Sequence, residues 1–272
     1  MLREEHRNGL LLFSDDALSA AGAANALTTR SGGVSRGVFE SLNLGTNRGD
    51  DPACVLENYR RLCAALGVDI RRVVFSSQVH GDTVRRVTEA DAGKGLFRPV
   101  DYDADALMTD AAGLPLMIFS ADCLPILLAA PGKAVGAAHA GWRGTALGIA
   151  GKTAREMAFA YGCDPASMRA AVGPGASLCC FETDHDVPEA LLASYGDEAA
   201  SYMERRGTKW HVDLKGLSVL SLTRAGLLPE NISVSPECTI CRPDRYWSHR
   251  VTNGVRGSQG AMICLTEDRR SL

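Results

Sequence analysis

The sequence predicts an α+β fold, a layered sandwich in a single domain spanning residues 1–272, and three observations predict it. The middle of the chain carries four short apolar runs, Ala104–Thr109, Leu116–Ser120, Leu124–Ala130 and Ala134–Ala138, set apart by Gly, Pro or Asp. Continuous apolar runs of that length suit strands covered on both faces. Strands and helices are interspersed without the strict alternation of a doubly wound fold. No Pro/Gly/Ser-rich linker, low-complexity tract or fixed-period repeat divides the chain.

Taken in order, the N-terminal MLREEHRNGLLLFSDDALSA mixes acidic with basic residues and has an apolar run of only Leu10–Phe13. That is neither a signal peptide nor a spanning helix, so a cytoplasmic protein is expected, with His6 in a frayed terminus. The glycines of TRSGGVSRG do not link a strand to a helix in the dinucleotide-binding manner. Asp51 and Pro52 open a helix as cap and first residue. Val55, Leu56, Tyr59, Leu62, Cys63 and Leu66 recur at helical spacing, and Gly67 stops it. Val73–Gln78 reads as a strand, followed by a turn at Val79–Asp82. Beyond the four central strands, Thr145–Tyr161 reads as one helix. Further helices are expected near Val187–Tyr195 and Leu214–Ala225, the latter capped by Asp213, and strands near Arg169–Val172, Ile232–Ser235 and Ala261–Leu265.

The chain of 272 residues is 46% hydrophobic and 22% charged, with a net charge of −3, an ordinary globular balance. Without a concentrated basic stretch, nucleic acid and polybasic membrane attachment have no footprint. Nine cysteines, an odd number in a long chain, do not suggest a secreted disulfide framework. Cys54, Cys63, Cys163 and Cys264 lie among apolar residues and read as small buried hydrophobes. Cys238 and Cys241 form a lone C-x-x-C, for which packing is the preferred reading. A metal site there needs more ligands, and Cys179–Cys180 supplies them only if the fold brings the two pairs together.

Three positions share an unusual setting. His80 closes the run VVFSSQVHGD, Cys123 sits in the gap of PLMIFSADCLPILL, and His139 ends AVGAAHAGWRG. Each is a soft or borderline donor at the end of an apolar strand. His, Cys and His together suit zinc and leave a fourth tetrahedral position for water. The intervals of 43 and 16 residues match no local zinc pattern. Packed core residues, a His₂Cys copper site and a Cys123 nucleophile with a histidine base therefore stay open beside zinc. Arg143 and a helix opening at Gly144 offer an anion site, against a solvated arginine. Asp122 either orients a ligand or ends a strand.

These stretches resemble the YfiH-like laccase-domain family. The resemblance runs through TTRSGGVSRGVFESLNLGTN, SSQVHGDTV, DADALMTDAAGLPLMIFSADCLPILL, AVGAAHAGWRGT and CTICRPDRYWSHR, most of the chain from about Thr28 to Ile263. It implies a single-domain layered α/β sandwich with mixed β-sheet and a zinc site on His80, Cys123 and His139. It further implies a purine nucleoside phosphorylase acting on adenosine, inosine, guanosine and S-methyl-5′-thioadenosine, with adenosine deamination. Other descriptions of the family are a polyphenol oxidase and a peptidoglycan-precursor editing amidase. Two places depart from its usual wording. Its G-P-C-C-Y-E is here Ser177–Glu182, S-L-C-C-F-E, and its G-R-Q-A is Gly257-Ser258-Gln259-Gly260. Ser258 thus stands where the family usually has Arg, a role left unfilled or taken by Arg256.

A multicopper oxidase needs a mononuclear site and a separate three-copper cluster, and six histidines are too few. For phosphorolysis, Arg143 and the helix start at Gly144 are the candidate phosphate site, and Asn43 and Arg60 the candidate nucleoside contacts. For deamination, Asp122 and His249 are the candidate proton donors. Purine nucleosides and phosphate are the expected partners.

Overall fold

The computed structural model describes residues 1–266; the end of the expected single domain, residues 267–272, lies outside the described residues. In chain order the elements begin with strands β1 (Leu2–Arg7) and β2 (Leu10–Asp15), helix α1 (Asp16–Ala20), strand β3 (Ala23–Thr28) and helix α2 (Pro52–Leu66). Strands β4 (Val84–Arg86), β5 (Ala106–Thr109), β6 (Leu116–Ser120), β7 (Leu124–Ala130) and β8 (Ala134–Ala140) follow, then helices α3 (Trp142–Ala146) and α4 (Ile149–Tyr161). The rest comprises β9 (Arg169–Val172), β10 (Glu182–Thr183), α5 (Asp186–Tyr195), β11 (Met203–Arg206), β12 (Lys209–Val212), α6 (Leu214–Arg224), β13 (Ile232–Val234) and β14 (Gln259–Leu265).

The strands form two large sheets and one small one. A five-stranded antiparallel sheet runs β1-β2-β3-β14-β6, and a six-stranded sheet runs β13-β9-β7-β8-β5-β4. The six-stranded sheet is mixed: β13 with β9 and β4 with β5 are parallel, and its central pairs are antiparallel. The two sheets pack face to face through Leu127, Ala129, Val135 and Ala137 on one side and Leu27, Leu116, Ile118 and Ile263 on the other. The opposite face of β7, with Leu124, Ile126 and Leu128, packs under α4 and α6. The outer face of the five-stranded sheet, with Leu12, Met117 and Met262, lies under Tyr59 and Leu62 of α2. The layers are thus helix, sheet, sheet, helix, and both faces of β7 are buried. That is why its sequence is a continuous apolar run rather than an alternation. Each such Leu or Ile contributes about 1.5–3 kcal/mol through burial.

Local chemistry sets the helix ends. Asp51 accepts the Ala53 N–H at 2.8 Å, Pro52 begins α2, and Gly67 ends it at φ +68°. Asp213 caps α6 through Lys215 and Gly216. Four expectations need correction. His6 is in a strand, paired with Leu11, because β1 completes the edge of the five-stranded sheet. Val73–Gln78 makes only isolated bridges at Val74 and Ser77. The expected helix Thr145–Tyr161 is two helices, α3 starting at Trp142 and α4 at Ile149, broken at Gly148 with φ +70°. Cys63, Cys163 and Cys264 are buried, but Cys54 is half-buried, its thiol 3.9 Å from the Asp51 carboxylate. Among the described residues, no helix is long and apolar enough to cross a membrane.

Candidate metal centre and its cavity

The antiparallel β7–β8 hairpin explains the 16-residue interval between Cys123 and His139. Its register places Pro125 opposite His139 and Leu124 opposite Ala140, so Cys123, one residue before β7, faces the end of β8. His80 arrives on a separate loop at φ +63°, a left-handed conformation that costs a non-glycine residue energy. Asp105, fully buried just before β5, holds that loop. Its carboxylate accepts the N–H groups of Val79, His80 and Gly81 at 3.1, 3.0 and 2.8 Å. The same carboxylate accepts the Nδ1–H of His139 at 2.8 Å, which turns that ring's Nε2 outward as a donor. One buried charge thereby positions two of the three donors, and the surrounding N–H groups offset the cost of burying it.

The donor atoms of His80, Cys123 and His139 all lie within 4.8 Å of one another. The His80 and His139 rings meet edge to face, 4.8 Å apart at 83°, and His80 Nε2 is 3.9 Å from Cys123 Sγ. His139 is buried, Cys123 half-buried and His80 exposed, so the cluster opens on one side. Burial pushes the Cys123 thiol up, but His139 and His80 outweigh it and bring the thiol down to about 6. Burial pulls the His139 imidazole down, but Cys123 and Asp105 outweigh it and raise it to about 9. A thiolate beside two imidazoles, one fixed by a carboxylate, is a donor set that fits a divalent metal ion.

Gly141 makes the approach possible. A Cβ there would lie 3.0 Å from the His80 ring and 3.1 Å from Cys123 Sγ. This gives the first glycine of H-A-G-W-R-G its physical reason.

The cluster forms the floor of a cavity of about 520 Å³, a volume within the ordinary range for small-ligand sites. Phe75, Phe119 and Phe181 give it apolar surface, and Arg48 and the pair Arg250 and Arg256, both from the loop before β14, bring positive charge. Arg256 is buried. Burial and the nearby Arg48 charge pull its guanidinium down to about 10, and Asp122 and Cys123 oppose them. Arg256 Nε and the buried Ser120 Oγ, both at the cavity wall, have no hydrogen-bond partner among the described residues.

The structure separates the residues singled out in the sequence. Asp122 and His249 line the cavity with the metal cluster. Asp122, at φ +83°, accepts hydrogen bonds from Thr239 Oγ1 at 2.7 Å, Ser248 Oγ at 3.0 Å and the Arg250 N–H at 2.8 Å. It ties two wall loops together, and the carboxylate that orients His139 is Asp105 instead. Burial and then the Arg256 charge pull His249 below its usual value, with Arg48 and Arg250 adding to the effect and Asp122 opposing it. That shift favours the neutral imidazole.

Four residues fall outside the cavity lining. Arg143 is exposed and stacks over Trp142, its guanidinium carbon 4.3 Å from the ring centre. Gly144 lies inside the one-turn α3, whose cap is Gly141, so no helix opens at Gly144. Arg60 sits on α2 beside Glu57 at 3.6 Å. Asn43 is buried behind the wall, where its side chain bonds Asp50 and the N–H groups of Gly45 and Ser258. The sequence reading passed over Asp105, Arg48 and Ser120. A signal existed for Asp105: a carboxylate entering an apolar run must be paired or it would not be buried.

The profile of the multi-copper polyphenol oxidoreductase laccase family matches residues 24–266. The chain is 38% identical over 252 residues to a protein named purine nucleoside phosphorylase YlmD from Geobacillus stearothermophilus, covering 91% of this chain and 92% of that one. Its fold is similar to the crystal structure of YlmD from Geobacillus stearothermophilus, with a TM-score of 0.90, 37% identity, and coverage of 98% and 99% of the two chains. The crystal structure of the Bacillus licheniformis hypothetical protein YfiH also gives a TM-score of 0.90, with 31% identity and coverage of 97% and 99%.

Proposed function

This chain belongs to the multi-copper polyphenol oxidoreductase laccase family, and we propose that it is a zinc-dependent purine nucleoside phosphorylase. Its substrates are adenosine, inosine, guanosine and S-methyl-5′-thioadenosine, with adenosine deamination as a second activity of the same cavity. The observation that carries this reading is the meeting, in one cavity, of a three-donor metal cluster and three arginines. Relatives named purine nucleoside phosphorylase, from Geobacillus stearothermophilus and Bacillus subtilis among others, support it.

Zinc held by His80, Cys123 and His139 supplies Lewis-acid character at the cavity floor. The protein's own groups do the remaining work. Arg256, buried and with an unfilled Nε–H, and Arg48 grip phosphate, an anion that relieves the repulsion between them. Arg256 Nη1 donates to Ser258 Oγ at 3.0 Å, so the residue that replaces the family's usual arginine holds Arg256 at the cavity wall. Phe75, Phe119 and Phe181 offer flat apolar faces to the purine. A phosphate oxygen bonds to the anomeric carbon as the glycosidic C–N bond breaks. The bond pair leaves with the purine, which takes a proton from solvent, and His249 accepts the proton of the attacking phosphate.

The test is one reaction with metal-analysed protein and adenosine, with and without phosphate, the products separated by chromatography. Adenine with ribose 1-phosphate only in the presence of phosphate is the expected result, and inosine in either tube marks deamination. Unchanged adenosine in both tubes, with zinc bound, overturns the proposal in favour of the precursor-editing amidase.

A second reading rests on the lowered Cys123 thiol beside His139, the arrangement of a cysteine hydrolase. Iodoacetamide separates the two. A zinc-bound thiolate is shielded, whereas alkylation of Cys123 with loss of activity in zinc-replete protein favours the hydrolase.

A further inference from the structure

Beside the cavity, four sulfurs meet that the proposed reaction does not use. Cys179 and Cys180 lie in the loop after β9, and Cys238 and Cys241 in the loop after β13. The two loops are neighbours because β13 runs parallel to β9 at the sheet edge, Ile232 beside Ala170. The pairing continues past the strands, with the Ser235 N–H on Val172 O at 2.8 Å and a bridge between Gly175 and Cys238. All four sulfurs lie within 4.8 Å of one another, Cys179 to Cys241 at 3.6 Å and Cys180 to Cys241 at 3.3 Å.

Four thiolates at about 2.3 Å around a tetrahedral ion stand about 3.8 Å apart, whereas a disulfide would bring two of them to about 2.05 Å. The observed spacing is that of a shell around an ion. The surroundings also suit a thiolate cage. Cys238 is buried, and the Ser177 N–H points at its sulfur from 3.5 Å. Lys215, itself buried, donates to Ser235 O and Glu237 O at 2.8 and 2.7 Å, and its charge acts on Cys238 and Cys179.

We propose that Cys179, Cys180, Cys238 and Cys241 form a second metal site, a closed four-thiolate cage for zinc. Binding releases to solvent whatever protons the thiols carry and forms four Zn–S bonds, leaving no open position for substrate. Its role is structural. It cross-links two loops about 60 residues apart in sequence, and those loops carry Ala176, Phe181 and Ile240 of the cavity wall. The adjacent Thr239 is the residue that bonds Asp122.

The experiment is metal analysis and native mass spectrometry on the reduced full chain, saturated with zinc and freed of excess. One zinc for each cluster is expected, with one lost in Cys241→Ser and, independently, one lost in Cys179→Ser, both at exposed positions. Cobalt(II) in place of zinc in His139→Ala should keep the intense near-ultraviolet sulfur-to-metal absorption of a four-thiolate site, and Cys241→Ser should weaken it. Backbone amides of 177–181 and 238–241 should exchange faster once a strong chelator strips the wild-type chain. Zinc at the His80–Cys123–His139 cluster alone overturns the proposal, with the other four thiols reacting freely with a thiol reagent or found as a disulfide. The wild-type stoichiometry and thiol count decide the matter even if a serine variant fails to fold.

Discussion

The two sulfur-bearing clusters, drawn from different stretches of the sequence and both tied to the lining of one cavity, are built on opposite plans. His80, Cys123 and His139 stand at the ends of strands and on a loop braced by a buried carboxylate. Cys179, Cys180, Cys238 and Cys241 sit on loops alone. The first set has three donors, two of them aimed by Asp105, and opens into a cavity of about 520 Å³. The second has four sulfurs and no histidine. Rigid scaffold and an open position serve chemistry, whereas a full set of ligands serves cohesion. The electrostatics follow the same division. In the first cluster the histidines outweigh burial and lower Cys123, and in the second burial, with Cys241 and Cys238 adding to it, raises Cys179.

The harshest test of this contrast is His139→Ala. Turnover should fall by more than about 100-fold, beyond the loss typical of removing an outer-shell partner, while the cysteine cage keeps its zinc by mass spectrometry. Zinc and turnover both surviving would remove His139 from the site. Asp105→Asn comes next. It leaves the side chain able to accept fewer of the four hydrogen bonds now converging on it, and should weaken zinc at the first cluster by about 10–100-fold with no change at the second. Competition with a chromophoric chelator reads both.

Gly141→Ala is milder. Its new Cβ meets the His80 ring and Cys123 Sγ at 3.0 and 3.1 Å, and overpacking of that kind costs about 1–3 kcal/mol. The loss should appear in first-site metal affinity, and an unchanged affinity would mean that the loop yields. A pH profile of phosphorolysis sharpens the cavity side of the comparison. In the proposed phosphorolysis the neutral form of His249 is the base, and burial with the Arg256 charge pulls it below its ordinary value of 6.5. Activity should therefore hold as pH falls to 6.5 and drop only below it, and His249→Asn should abolish that limb. The smallest expected effect is Arg143→Ala, within about twofold for phosphate KM, because its side chain lies outside the cavity over Trp142. A large rise in KM would return the phosphate site to Arg143.

The sequence by itself determined a good deal. The apolar runs at β5–β8 marked strands buried on both faces, and the caps at Asp51 and Asp213 marked two helix starts. The strand-end settings of His80, Cys123 and His139 singled out three side chains that the fold brings together. These are local signals, carried by residue spacing and by chemistry within a few positions. Other features depended on distant segments, and only the tertiary structure decided them. Nothing near Asp105 says that its carboxylate will hold both the His80 loop and the His139 ring, since those partners lie 25 and 34 residues away. Arg143 looked like the anion site because it follows His139 closely, yet the turn after β8 sends it outward. Arg48 reaches the cavity from one loop, and Arg250 and Arg256 from another about 200 residues on. The lone C-x-x-C looked incomplete for the same reason: its other two sulfurs come from a loop brought alongside only by the parallel pairing of β13 with β9. Strand and helix identity follow from short-range periodicity, but a charged or ligating cluster depends on which chain ends the sheets place side by side, and register and topology set that.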